Sequence, residues 1–183
     1  MASTARPVSS LAGDDDGMER LWTPHRMAYI DSHGAGDDQD HAKACPFCTA
    51  PTLDDEEGLI VWRGQLAFVV MNAFPYNPGH LLICPYRHFG DYTQATTSEV
   101  AEIAELTRQA MRVTREVSNP DGFNLGMNQG RVAGAGVAEH LHQHVVPRWA
   151  GDANFFPIIG QTKAIPQLLG DTRARLAKAW ERS

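Results

Sequence analysis

The sequence predicts an α+β fold with about five short strands, one central helix and helical chain ends. Three observations support this prediction. Short runs of apolar, β-branched or aromatic residues recur between turn-forming residues, as is typical of strands. One long segment repeats apolar residues at helical spacing. Strands and helices do not alternate along the chain, which argues against the βαβ pattern of a parallel α/β fold.

The predicted strands are short and separated by turn signals. The first two flank Arg63-Gly64-Gln65, which suits a hairpin, and a loop with two prolines over 74–79 precedes the third. Pro85 is expected to end the third strand, because proline has no N–H for the ladder. The five predicted strands span residues 59–62, 66–71, 80–84, 122–128 and 141–148.

The central helix is predicted over Thr97–Ser118. Thr96 and Glu99 have the spacing of a capping box, which begins a helix, and Asn119-Pro120 ends it. Apolar residues at intervals of three and four predict that one face of this helix is buried. They are Ile103, Leu106, Ala110, Val113 and Val117.

Outside this central region the composition changes. Residues 1–18 are small, polar and rich in Gly, Asp and Ser, and we predict a disordered N-terminal arm there. An apolar cluster around Pro24 and a linker over 31–44 lead into the main domain. We predict that this domain spans 19–183 and that it ends in a helical extension over 165–181.

Composition limits the classes of function. The 183 residues are 43% hydrophobic and 21% charged, so the chain can bury a core. A formal net charge of −6 argues against a nucleic-acid partner, because neutralising phosphates requires a basic surface. The longest apolar run, 66–71, is far shorter than the roughly 18 residues of a membrane span. With no secretory signal in the first twenty residues, we expect a cytoplasmic protein without a membrane partner.

Three of the eight histidines alternate along one predicted strand. His140, His142 and His144, here called the histidine row, should therefore point to one face about 6.6 Å apart. An exposed polar face, three metal ligands, or a nucleophilic histidine with helpers would each account for this pattern. The glycine-rich segment 128–136 favours the last, since its backbone N–H groups can approach an anion. One imidazole would attack phosphorus while a second assists the leaving oxygen.

Cys45 and Cys48, here called the cysteine pair, have the spacing of a zinc knuckle. A tetrahedral site needs two further ligands, and Cys84 lies in an apolar strand where a buried thiol is expected. His88, just past that strand, and His140 are the candidates for the remaining positions. A closed site of this kind would make zinc structural rather than catalytic. A redox pair and two incidental thiols are the alternatives.

The segment 140–146, His-Leu-His-Gln-His-Val-Val, resembles the signature of the histidine triad (HIT) family, His-x-His-x-His followed by two apolar residues. The segment 72–81 is similar to that family's nucleoside-side loop and following strand. The segments 21–27 and 147–155 resemble the bacterial subgroup that contains diadenosine tetraphosphate phosphorylases and hydrolases. The resemblance implies a HIT-like fold with an antiparallel five-stranded sheet. It also agrees with the proposed zinc ligands, because zinc-bearing relatives use such a set.

The resemblance implies roles for individual residues. His142 is expected to attack the α-phosphorus of an adenine nucleotide and carry the nucleotide covalently, while His144 assists departure of the leaving group. Asn72 is expected to contact the ribose, with His80 near the site. Asn128 is expected to help hold the phosphate.

The loop before the histidine row departs from the family pattern. Many relatives have a glutamine and a serine or threonine there as phosphate contacts, whereas this chain has Gly134-Ala135-Gly136-Val137. We therefore expect the backbone N–H groups at Gly134 and Gly136 to take over the phosphate contacts.

The implied reaction cleaves a dinucleoside polyphosphate such as diadenosine tetraphosphate. Inorganic phosphate as the second substrate gives ADP and ATP, and subgroup similarity favours this phosphorolysis; water gives AMP and ATP. Magnesium is expected to accompany the polyphosphate, and the resemblance implies a homodimer or a larger assembly. The alternatives are a nucleoside phosphoramidate hydrolase that uses the same His142, and a nucleotide-binding module without catalysis.

Overall fold

The protein is built around an antiparallel sheet, which has five strands in the part of the chain that is described. The computed structural model describes residues 45–152 and 167–183. The strands lie in the order β1-β2-β3-β5-β4, and all neighbours are antiparallel. This confirms the predicted α+β class. Strands β1 to β5 are Ile60–Arg63, Ala67–Met71, Leu81–Pro85, Gly122–Gly126 and Gln143–Arg148.

Helices α1, α2 and α3 within the described ranges are Pro46–Thr49, Thr97–Ser118 and Leu169–Trp180. The bounds of α2 agree with the prediction. The C-terminal helix predicted over 165–181 is shorter in the structure, because residues 167, 168 and 181 are not helical; residues 165 and 166 lie outside the described residues. The predicted arm over 1–18, the apolar cluster and the linker over 31–44 also lie outside them.

Helix α2 begins and ends as its sequence predicts. Thr96 Oγ1 accepts the N–H of Glu99, and the Glu99 carboxylate accepts the N–H of Thr96 in return, at 3.2 and 2.7 Å. Asn119 ends the helix in the left-handed conformation, with φ +44°. Two N–H groups at the start of α2, which have no carbonyl acceptor within the helix, thereby gain side-chain acceptors.

Apolar side chains pack on both faces of the sheet. On one face, strand residues such as Val69 and Ile83 form the main core with α2 and α3. The other face carries a smaller apolar cluster. His144 lies on this second face, because it is paired directly with Leu82, a member of the smaller cluster. The smaller cluster consists of Ile60, Phe68, Val70, Leu82 and Cys84.

The strands that carry the site differ from the prediction at their ends. Strand β3 includes Pro85, which pairs with Ala67 of β2 rather than ending the strand at residue 84. Because Pro85 has no N–H, the ladder between β3 and β5 stops at the pair Ile83–Gln143. Strand β5 therefore begins at Gln143 instead of 141, and His140 and His142 precede it. Strand β4 likewise ends at Gly126, not 128.

None of the helices within residues 45–152 and 167–183 combines the length and the apolar character that a bilayer crossing requires.

Glu99 offers a test of how α2 is held to the sheet. Arg87 follows β3 and donates to both carboxylate oxygens of Glu99, at 3.0 and 2.8 Å, which holds the Glu99 pKa at about 2. We expect Glu99→Gln to lower the free energy of unfolding at pH 7 by about 1 kcal/mol, because the charge-assisted pair is lost. Urea unfolding monitored by circular dichroism measures this difference.

The pH dependence of that difference has a definite sign. A carboxylate whose pKa is lower in the folded state contributes stability above its unfolded pKa of about 4.3, and this is lost as the pH falls. The difference in free energy of unfolding between wild type and Glu99→Gln should therefore become smaller as the pH falls from 5 to the lowest pH at which the protein stays folded. Glu105→Gln, at an exposed pair with Arg108, is the control and should change stability little. A difference in free energy of unfolding that does not change with pH would contradict the conclusion that Arg87 lowers the Glu99 pKa in the folded protein.

Candidate active site and metal centre

The histidine row keeps its alternation although only His144 lies within the paired part of β5. Leu141 is buried in the main core, so its neighbours His140 and His142 face the opposite side of the sheet. The rings of His142 and His144 lie 5.0 Å apart between centroids. The structure therefore brings the two predicted catalytic imidazoles together on one face.

One ring nitrogen of His142 is fixed as a hydrogen-bond donor. Its Nδ1–H donates to the carbonyl oxygen of His140 at 2.8 Å, which leaves the lone pair on Nε2. The residue is buried, and this loss of solvation lowers its pKa below the ordinary histidine value. A neutral imidazole with an unprotonated Nε2 is the form that a nucleophile requires.

A chain of hydrogen bonds sets the proton of His144. The backbone N–H of Tyr76 donates to Nδ1 of His80 at 3.0 Å, so the His80 proton is on Nε2. That Nε2–H donates to Nδ1 of His144 at 2.9 Å. The proton of His144 is consequently on its own Nε2, a buried atom without a hydrogen-bond partner in the described part of the chain. Burial lowers the His144 pKa to about 4, with a smaller contribution from His142.

Both His144 and Tyr76 line a cavity of about 780 Å³. Tyr76 also stacks on His144, with ring planes at 13° and centroids 5.6 Å apart, although it remains half-exposed. The sequence analysis missed Tyr76. The available signal was an aromatic residue four positions before His80, between the two prolines of the loop 74–79.

The predicted ribose ligand Asn72 lies beside the same chain of imidazoles. Its Oδ1 accepts the N–H of Phe74 at 3.0 Å and its Nδ2 lies 3.2 Å from Nδ1 of His80. Asn72 therefore closes the turn that leads into the loop before His80. The role in ribose binding is a separate prediction, which this geometry leaves open.

The predicted phosphate contacts lie in the loop before the histidine row. Gly134 adopts φ +89°, a conformation suited to glycine, and its N–H donates to the carbonyl of Arg131 at 2.9 Å. A phosphate bound by this N–H would have to replace that hydrogen bond. Asn128 Nδ2 lies 3.4 Å from the Gly134 carbonyl, and Gly136 is exposed in the following turn.

All four predicted metal ligands meet at one point. The sulfur and Nδ1 atoms of Cys45, Cys48, His88 and His140, here called the Cys2His2 cluster, lie within 4.8 Å of one another. Cys84 is fully buried outside this cluster, and burial raises its thiol pKa well above the usual value. The chain therefore has a group of side chains that can bind a metal ion.

The spacing of the Cys2His2 cluster fits a tetrahedral ion. Zinc–sulfur bonds of about 2.3 Å and zinc–nitrogen bonds of about 2.0–2.1 Å imply ligand separations of about 3.5 Å for S···N and 3.3 Å for N···N. The observed S···N distances from the cysteine pair are 3.2, 3.3 and 3.5 Å. The two Nδ1 atoms of His88 and His140 are 3.2 Å apart. Soft thiolates with imidazoles are a ligand set that zinc prefers.

Local backbone structure places these four ligands. The N–H groups of Cys48 and Thr49 both donate to the carbonyl of Cys45, which turns the cysteine pair toward one point. His140 Nε2–H donates to the carbonyl of Pro85 at 2.9 Å and so presents Nδ1 to the sulfurs. Burial lowers the His140 pKa to about 4, which keeps this ring neutral and able to bind a metal.

The segment after His88 approaches the histidine row closely. Leu141 N–H donates to the carbonyl of Phe89 at 2.6 Å, and a Cβ at Gly90 would overlap the carbonyl oxygen of Ala138. Gly90 therefore permits the approach that brings His88 to His140.

Comparison with known proteins agrees with the fold and with the histidine row. The family model of the HIT domain matches residues 55–151, just over half of the chain. The chain belongs to the histidine triad family.

Individual relatives indicate a narrower class of protein than the family model does. The chain is 51% identical over 172 residues to the AP-4-A phosphorylase of Mycobacterium tuberculosis, covering 93% of this chain and 88% of that protein. It is 33% identical over 89 residues to a bis(5′-adenosyl)-triphosphatase of Dictyostelium discoideum, covering 49% and 59%. Among solved structures, a zinc-bound histidine triad family protein of Mycobacterium smegmatis is 25% identical, with a TM-score of 0.61 and coverage of 76% and 95%.

We expect the purified protein to hold one equivalent of zinc per chain. Cys48→Ala should lose most of this zinc because it removes one of four ligands. The matched control, Cys84→Ala, should keep the full equivalent because its sulfur lies outside the cluster. Elemental analysis after gel filtration measures the content. Absence of stoichiometric zinc, together with thermal unfolding that a chelator leaves unchanged, would rule out a structural zinc site.

Gly90→Ala should weaken metal binding without touching a ligand. The added Cβ pushes the segment around His88 away from Ala138 and should reduce zinc affinity by about tenfold or more, comparable to loss of a supporting contact. Competition with a chromophoric chelator measures the affinity. Gly170→Ala is the control, since a Cβ there meets no atom within 4 Å. An unchanged affinity in Gly90→Ala would show that the close approach does not position His88.

Proposed function

We propose that the protein cleaves dinucleoside polyphosphates such as diadenosine tetraphosphate by transferring an adenylyl group to His142. The observation that carries this proposal is the distribution of protons on the two adjacent imidazoles. His142 presents an unprotonated Nε2, and His144 beside it presents an Nε2–H. A nucleophile and a hydrogen-bond donor are thereby held on adjacent rings, whose centroids are 5.0 Å apart.

The first step follows from these two atoms. The lone pair on Nε2 of His142 forms a bond to the α-phosphorus, and the bond from that phosphorus to the bridging oxygen breaks. The electron pair of the broken bond goes to the bridging oxygen, which leaves as a phosphate anion and accepts a hydrogen bond from Nε2–H of His144. The products are adenylyl-His142 and the departing nucleotide, ATP in the case of diadenosine tetraphosphate. The His140 carbonyl keeps its hydrogen bond to Nδ1–H and stabilises the positive charge on the substituted ring.

The second step returns His142 to its starting state. An oxygen of inorganic phosphate attacks the adenylyl phosphorus, the P–N bond breaks, and its electron pair returns to Nε2. ADP is the product, whereas attack by water would give AMP. Phosphorolysis is favoured because the M. tuberculosis protein that is 51% identical is an AP-4-A phosphorylase. In this proposal inorganic phosphate is the second substrate.

Substrate contacts are part of the same proposal. Asn72 is assigned to the ribose because it adjoins His80 at the start of the loop that reaches His144. Asn128 and the backbone at Gly134 and Gly136 are assigned to the phosphates. Their support is position alone, since all three belong to the segment that leads into the histidine row.

Zinc is proposed for the Cys2His2 cluster, in which all four positions would be taken by protein ligands. Zinc would supply structure there by joining the cysteine pair to the segment that carries His142. A zinc-bound relative among the solved structures supports this choice of metal. Magnesium with the polyphosphate and a cytoplasmic location stay predictions, as does the homodimer or larger assembly that the family resemblance implies.

The nucleophile is tested by trapping. His142→Asn should form no adenylyl-enzyme and should lower turnover by at least about 10³-fold, while affinity for a non-hydrolysable nucleotide changes less than about tenfold. Rapid quench with labelled diadenosine tetraphosphate, followed by peptide mapping, measures the first effect. Gln143→Ala is the control, because that side chain faces the opposite side and donates to Thr107. Label on another residue, or turnover that survives His142→Asn, would refute the proposal.

The acceptor is tested by product analysis. With inorganic phosphate, diadenosine tetraphosphate should give ADP and ATP, and without it the rate should fall as adenylyl-enzyme accumulates. Nucleotide chromatography distinguishes ADP from AMP. Production of AMP and ATP in both conditions would make the protein a hydrolase. Faster turnover of adenosine 5′-phosphoramidate than of the dinucleotide would instead favour a phosphoramidate hydrolase.

A further inference from the structure

The phenylalanine inside the cysteine pair contacts the imidazole that carries the proposed chemistry. Phe47 lies in α1 between Cys45 and Cys48 and packs against the smaller apolar cluster. Its ring centroid is 5.0 Å from that of His142, with the ring planes at 41°. It also meets the ring of His140 edge-on, at 5.6 Å. The metal-binding segment therefore supplies a side chain that lies directly against the nucleophile.

His142 needs such a contact because its hydrogen bonding leaves the tilt of the ring undetermined. Nδ1 makes one hydrogen bond, to the His140 carbonyl, and Nε2 has to stay without a protein partner in order to attack. Two side-chain torsions orient the ring, and a single hydrogen bond at Nδ1 restrains them without fixing both. Contacts with neighbouring side chains must complete this restraint, and among the described residues the rings of Phe47 and His144 contact the imidazole.

We propose that Phe47 is a positioning residue that fixes the plane of the His142 imidazole and thereby directs Nε2 toward the α-phosphorus. This inference rests on the proposed function, since it supposes that Nε2 is the attacking atom. Attack requires the reacting atoms to be aligned about 3–3.5 Å apart, and a misplacement of about 1 Å costs about 100-fold in rate. Loss of the phenyl ring should therefore slow formation of the P–N bond and leave nucleotide binding unchanged.

The contact between Phe47 and His142 would also let the Cys2His2 cluster affect catalysis indirectly, through the position of Phe47. Phe47 and Cys48 lie in the four-residue helix α1, and Cys45 is the residue that precedes it as its N-cap. A metal bound to both sulfurs would restrict the position of that helix and hence of the phenyl ring. Phe47 has no ligand atom, so its replacement separates the positioning effect from metal binding.

The test compares Phe47→Ala with Phe47→Leu in single-turnover experiments with labelled diadenosine tetraphosphate and excess enzyme. Phe47→Ala should lower the rate constant of adenylyl-enzyme formation by about 10- to 100-fold. Its affinity for a non-hydrolysable dinucleotide should stay within about threefold of wild type. Phe47→Leu keeps much of the contact area and should recover to within about fivefold of the wild-type rate constant. Zinc content is measured on each protein, and rate constants are compared at equal zinc content, so that an effect of metal loss is separated from an effect of the missing phenyl ring.

A control and a spectroscopic measurement complete the design. Trp62 is an exposed aromatic residue of β1 that stacks on Trp180 of the main core, with ring centroids 5.9 Å apart, and it lies away from the histidine row. Trp62→Ala should therefore destabilise the protein and leave the rate constant at the wild-type value.

NMR of protein with ¹⁵N-labelled histidine reports the state of the His142 ring without turnover. Wild type should give one sharp Nδ1–H tautomer, and Phe47→Ala a broadened or mixed signal.

Two results would overturn the inference. One is a zinc-loaded Phe47→Ala protein whose rate constant lies within twofold of wild type. The other is Phe47→Leu as slow as Phe47→Ala, with both giving a wild-type His142 NMR signal. If wild type itself forms no adenylyl-enzyme, the proposed function fails. The NMR comparison then decides independently whether Phe47 orients His142.

Discussion

His140 is the residue at which the metal centre, the sheet and the proposed nucleophile meet. Its Nε2–H donates to the Pro85 carbonyl, which turns Nδ1 toward the cysteine pair. Its own backbone carbonyl accepts Nδ1–H of His142. One buried residue thereby fixes the tautomers of two imidazoles. A displacement of His140 would move a candidate metal ligand and rotate the proposed nucleophile together, so both candidate sites depend on the short segment before β5.

Burial gives this group of imidazoles the protonation state that its chemistry needs. It lowers the pKa of His140 and His144 to about 4 and lowers that of His142 as well, so all three are neutral at physiological pH. A protonated nitrogen can neither bind a metal nor attack phosphorus. Leu141 is buried in the main core on one face of the sheet. Its neighbours His140 and His142 are therefore held against the opposite face, where they are buried in turn. The same packing that stabilises the fold therefore removes solvent from the site.

Much of the fold was predictable because its determinants are local. The bounds of α2 depend on residues close to each end: the capping box of Thr96 and Glu99 begins the helix, and Asn119 ends it. Alternation in the histidine row persisted even where strand pairing stopped, since it depends on the extended backbone and on burial of Leu141. The strand ends were less predictable. Pro85 was expected to end β3, but its effect fell on the ladder to β5, and only the register between strands shows this.

The sequence by itself determined the kind of chemistry available: an alternating row of imidazoles, a cysteine pair with metal-ligand spacing, and a glycine-rich loop. Only the tertiary structure decided which nitrogen of each ring carries a proton. His80 and His144 are 64 residues apart in sequence, and their hydrogen bond exists because β3 and β5 are neighbours in the sheet. Phe47 likewise meets His142 across a long sequence separation. Such contacts depend on how strands pair and loops close, which local sequence patterns do not specify.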